Sequence, residues 1–121
     1  MAAREARMSL CIVAGAAVTR LAVAAFTLGW THSVEKTRWE EDWAVGSGML
    51  ALTEARIEGL GAGMETPQGA VRRGRFWTWK PRVPPIPEVL LRRSDAVPEG
   101  WTLCANGACR DRKSTRLNSS H

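Results

Sequence analysis

Glu41 stands between Trp39 and Trp43 at a spacing of two residues on each side. In an extended strand that spacing puts all three side chains on one face. A carboxylate set between two indoles loses water, which raises its pKa unless a cation or donors meet it. His32, Lys36, Arg38 and the indole N–H groups are the partners in reach of the sequence. His32 with Glu41 could serve as a general acid and base, or the group could hold a polar ligand in an aromatic pocket. The competing reading places Glu41 at a rim, bonded to a neighbouring strand or arginine. No catalytic residue is assigned; His32 and Glu41 are candidates only.

A second group of residues is organised by a turn. Asn106-Gly107 is a strong signal for a two-residue type I′ hairpin. That turn pairs Ala105 with Ala108 and sets Cys104 opposite Cys109, with Cα atoms about 4.5 Å apart, within disulfide range. Free thiols are the alternative. A four-residue gap also permits half of a zinc site, but Cys11 and His32 are poor material for the other half. No metal and no cofactor are expected. The glycine-rich stretch at residues 59–63 lacks the strand-before, helix-after context of a phosphate loop. Gly61, Gly63, Met64 and Glu65 could form a backbone concavity beside His32, or simply let another strand approach closely.

The elements that must position these residues read as strands. Residues 9–14 form a short apolar strand, with a turn at residues 15–17. Residues 20–30 are apolar on both faces, as in a central strand, with Phe26, Leu28 and Trp30 on the even side. Residues 35–45 alternate: Trp39, Glu41 and Trp43 point inward, while Lys36, Arg38, Glu40 and Asp42 face water. Gly46, Ser47 and Gly48 turn the chain into a partner strand at 49–57, where a helix is the competing reading. A hairpin across Gly74 joins 71–73 to 75–80. Four prolines between Pro81 and Pro87 make an extended connector. Strands follow at 88–93, 101–104 and 108–110. The pattern predicts one all-β domain, a small antiparallel sandwich or partly open barrel. The six tryptophans are read as core rather than as a sugar-binding platform.

The chain has 121 residues, 17 Lys and Arg against 12 Asp and Glu, and a net charge of +5. That size gives one modest core and excludes a multidomain enzyme. Residues 111–121, DRKSTRLNSSH, resemble the translated start of a widely used sequencing adapter at all eleven positions. They are expected to lie outside the fold, with the native C-terminus missing. Without them the net charge is +3 and His32 is the single histidine. The only dense basic group left is Arg72, Arg73, Arg75 and Lys80, so no nucleic-acid partner is expected. At the other end, Arg4 and Arg7 before an apolar run imitate a secretory signal. Cleavage near Ala25 would remove two core strands, so Met8 reads as the natural start, 1–7 as an extension and 8–110 as the domain. No apolar stretch is long enough for a transmembrane helix. The strand reading favours a soluble, cytoplasmic protein slightly over the envelope, toward which the signal mimic and the disulfide point.

Three blocks carry a family resemblance: FTLGWTHSVEK at residues 26–36 with Trp39, Glu40 and Glu41; GAGME at 61–65; and WTLC at 101–104 with Gly107 and Cys109. Together they resemble the bacterial "domain of unknown function 1850" family over nearly the whole of 8–110. The resemblance implies a small protein whose gene often lies beside a TAXI-class tripartite (TRAP) transporter. It carries no catalytic residue with it. The expectation is a non-enzymatic accessory or small-ligand-binding protein, meeting the transporter's permease or its anionic substrate. Arg72, Arg73 and Arg75 are weak anion contacts in that picture, and the ligand site would draw on His32, Glu35, Lys36, Trp39, Glu41, Gly61, Gly63, Met64 and Glu65. The alternatives are a small enzyme using His32 and Glu41, or a purely structural interaction domain.

Overall fold

The computed structural model describes residues 9–31, 37–58, 69–91, 100–112 and 115–120. Among these residues every regular element is a strand. They are β1 (Ser9–Ala14), β2 (Ala17–Leu21), β3 (Ala25–Thr31), β4 (Arg38–Val45), β5 (Leu50–Glu58), β6 (Val71–Arg73), β7 (Phe76–Trp79), β8 (Glu88–Leu91), β9 (Trp101–Ala105), β10 (Ala108–Arg112) and β11 (Thr115–Ser120). Two antiparallel sheets result, ordered β2-β1-β11-β8 and β10-β9-β3-β4-β5-β7-β6. They do not close on each other, so the architecture is an all-β sandwich and not a barrel. None of the described residues forms a helix long and apolar enough to cross a membrane.

The core lies between the sheets. Leu10 and Ile12 of β1, Leu91 of β8 and Leu117 of β11 meet Phe26, Leu28, Trp43, Val45, Leu50 and Leu103 of the larger sheet. Period two explains the choice: in β3 the even residues Phe26 and Leu28 are buried on the inner face. The register carries that face across the sheet, because Phe26 stands opposite Trp43, Leu28 opposite Glu41 and Trp30 opposite Trp39. One residue extra on β5, at Thr53, shifts the β4–β5 register between Asp42 and Trp43. The bulge lets Leu50 and Leu52 keep the inner face on one side of it and Ala55 and Ile57 on the other.

The turns follow their residue types. Asn106 and Gly107 both have positive φ, at 51° and 76°, as the type I′ hairpin requires. Gly74 takes φ 63° between β6 and β7.

One expectation is corrected. Residues 20–30 are not one strand. β2 ends at Leu21 in the smaller sheet, and β3 begins at Ala25 in the larger one. A three-residue turn, with Val23 N–H donating to the Leu21 carbonyl at 2.9 Å, makes the corner. Small Ala22 and Ala24 are exposed there while Val23 is buried, so a run apolar throughout can change sheets without losing core contact. Strands also include residues 111–112 and 115–120. β10 continues to Arg112, and β11 pairs with β1 on one side and β8 on the other. Thr115 and Leu117 alternate inward against an exposed Arg116, and the Ser119 hydroxyl donates to the Gly46 carbonyl. One large apolar residue in six is too weak a pattern to read as a strand; neighbours on both sides complete it.

Candidate functional site

The inner face of the larger sheet divides along β4. Toward Val45 it is covered by the smaller sheet. Toward Arg38 it carries aromatic side chains: Trp39 stacks on Trp30 with ring centroids 5.9 Å apart, and Trp30 meets Trp101 at 4.5 Å. Ile57 is opposite Trp39, and Trp77 opposite Ile57. Of the six tryptophans Trp43 is buried in the core, stacked on Phe26 at 6.3 Å, and the other five are half-buried.

Glu41 occupies the boundary between these regions. Leu28 flanks it on β3 and Ala55 on β5, with Trp39 and Trp43 before and after it on the same face. Trp43 Nε1 donates to Glu41 Oε1 at 3.2 Å. Desolvation raises the Glu41 pKa above the ordinary 4.5, and the bond from Trp43 opposes the rise without cancelling it. Trp39 Nε1 is buried and has no hydrogen-bond partner among the described residues. The arrangement therefore offers one carboxyl with a raised pKa and one indole donor without a partner among the described residues, two residues apart on an aromatic face. A polar ligand group that both accepts from an N–H and bonds a carboxyl would satisfy them together.

The outer face of the same strands is built from ion pairs. Arg56 of β5 grips Asp42 with two nitrogens, Nη1–Oδ2 at 2.7 Å and Nη2–Oδ1 at 2.9 Å. It also reaches Glu54 at 2.7 Å and Glu40 at 3.1 Å. The Thr27 hydroxyl donates to Asp42 at 2.8 Å. Hydrogen bonding from Arg56 holds the Asp42 carboxyl below its ordinary 3.8. The Arg56 guanidinium, held first by Asp42, is pushed still further from deprotonation. Arg38 lies across Gly29, where any Cβ would meet its guanidinium. Arg56 is missed by a reading that follows single strands. Its signal is the sign complement between β4, with Glu40 and Asp42, and the matching side of β5.

Of the residues expected at the ligand site, Trp39 and Glu41 share the inner face of β4. His32, Glu35, Lys36, Gly61, Gly63, Met64 and Glu65 lie outside the described residues. Arg72 and Arg75 are engaged locally: Arg72 donates to the Gly74 carbonyl at 3.1 Å, and Arg75 pairs with Glu58 at 3.0 Å. Cys104 and Cys109 stand opposite each other and are joined by a disulfide, with Cα atoms 4.0 Å apart. The disulfide sits on the outer face, away from Glu41. Cys11 is a free, buried thiol. No group of three His, Cys, Asp or Glu among the described residues is placed to hold a metal ion.

Neither the curated proteins nor the solved structures contain a match to this chain. The model of one family, described as "Domain of unknown function (DUF1850)", matches residues 26–111. That span runs from the second residue of β3 to the last but one of β10, and so takes in both faces of β4 and the cysteine hairpin. The chain belongs to the DUF1850 family.

Proposed function

We propose that this protein is a non-enzymatic binding module that works beside a TAXI-class TRAP transporter, as an accessory to the permease or as a receiver of its anionic substrate. The observation that carries the binding reading is that Glu41 shares one aromatic face with Trp39, whose buried N–H has no hydrogen-bond partner among the described residues. Buried polar groups without partners are costly, and a ligand that bonds both would offset that cost. His32, Glu35, Lys36, Gly61, Gly63, Met64 and Glu65 complete the site in this reading. The transporter comes from the gene neighbourhood that the family resemblance implies. Co-expression of the full chain with a TAXI-type permease tests it. A stoichiometric complex that survives mild detergent and added salt is the expected result. Separate elution of the two overturns the transporter link.

One observation favours a second reading. The raised pKa of Glu41 suits a general acid, with His32 as its basic partner. That enzyme would show a bell-shaped pH–rate profile, and His32→Ala would abolish turnover while leaving the fold intact.

A further inference from the structure

We infer that the cleft between the open edges of the two sheets binds an amphipathic monoanion, a carboxylate on a short aliphatic chain. β2 is an edge strand of the smaller sheet and β10 an edge strand of the larger. Both line one cleft of about 400 Å³, a volume in the roughly 300–1,000 Å³ range of small-molecule sites. Leu21, Val23, Leu103, Ala105 and Ala108 give it an apolar side. Val23 and Leu103 belong to the core, so the floor is fixed by packing rather than by a loop.

Arg110 supplies the charge. It stands opposite Leu103 on β10, and so on the inner face, where it lines the cleft. It is exposed, makes no ion pair among the described residues, and shares the lining with no acidic residue. Thr19 and Asn106 add neutral polar groups. A guanidinium matches a carboxylate with two parallel hydrogen bonds. The lining holds no second cation, so a second carboxylate would find no ion-pair partner, which selects against a dianion. Acetate would satisfy Arg110 but leave the apolar side empty. The fit is therefore a single carboxylate whose chain occupies the cleft. This site lies apart from Glu41, and neither reading depends on the other.

The test is an amide chemical-shift titration of the labelled full chain with octanoate. Saturable shifts confined to β2, the corner at residues 22–24, β9 and β10 are expected. Arg110 is exposed, so Arg110→Gln keeps the fold; it weakens octanoate about tenfold, the loss of a charge-assisted bond. 1-Octanol binds wild type and Arg110→Gln equally. Ala108→Leu, which fills the cleft from an exposed position, weakens both ligands, and acetate binds at least about tenfold more weakly than octanoate. Absence of saturation, shifts centred elsewhere, or equal octanoate affinity in wild type and Arg110→Gln would overturn the inference.

Discussion

On β4, Glu41 points to the inner face of the larger sheet and Asp42 to the outer face. One peptide bond separates two carboxyl groups whose pKa values are shifted in opposite directions. Glu41 meets indole rings and hydrocarbon, receives one hydrogen bond from Trp43, and its pKa rises. Asp42 meets a two-nitrogen grip from Arg56 and the Thr27 hydroxyl, and its pKa falls. The outer network satisfies its own charges within the sheet. The inner group leaves a carboxyl and an indole N–H under-used. Charge density alone would point to the outer face as the functional one, yet the outer charges are occupied. On β4 the inner side, with Glu41 as its one charged residue, holds the polar groups left under-used.

Substitutions on the two faces separate these roles. The largest effect belongs to the inner face at its covered end. Leu28→Ala removes a fully buried side chain and costs about 3 kcal/mol, read from urea denaturation midpoints. On the outer face Arg56→Ala leaves Asp42, Glu54 and Glu40 without their shared cation. It costs about 2 kcal/mol, less than for a fully buried pair because the side chain keeps 19% exposure. A loss near zero would make the network a solvated decoration.

Next come the two carboxyls, compared as stability against pH. Because folding raises the Glu41 pKa, its favourable contribution is complete below 4.5 and is lost as pH rises through the folded value. Glu41→Gln therefore stabilises the protein at neutral pH and gains little in acid. Asp42 behaves oppositely: its contribution is complete above 3.8 and is lost as pH falls through its lowered folded value. Asp42→Asn destabilises at neutral pH, and its deficit shrinks in acid. Parallel pH profiles for the two variants would erase the distinction between the faces. The smallest effect is expected at Gly29. A Cβ there displaces only the mobile end of Arg38, so Gly29→Ala changes stability by less than about 0.5 kcal/mol.

The faces of β4 are legible because alternation is strict there, with Trp39, Glu41 and Trp43 against Arg38, Glu40 and Asp42. The cysteine register is legible because Asn106-Gly107 admits few turn geometries. Sheet membership is harder. Ala22 to Ala24 look apolar like the strands around them, so the corner between sheets carries no composition signal. β11 has a single large apolar residue, Leu117, and its place depends on β1 and β8, more than 20 residues distant in sequence. Arg56 is a cross-strand partner, visible only once the β4–β5 register, with its bulge at Thr53, is fixed. Of the candidate site, Trp39 and Glu41 come from the local pattern. The rest, His32, Glu35, Lys36, Gly61, Gly63, Met64 and Glu65, rests on residue type and nearness in sequence, and falls outside the described residues.

The most direct test is a carbon-detected NMR titration of the side-chain carboxyls of Glu41 and Asp42, each assigned by loss of its signal in Glu41→Gln or Asp42→Asn. The account predicts that Glu41 titrates above 4.5 and Asp42 below 3.8 in the same sample. A Glu41 midpoint at or below 4.5 would contradict it, because the inner-face carboxyl would then be solvated or already paired, with no unmet demand for a ligand.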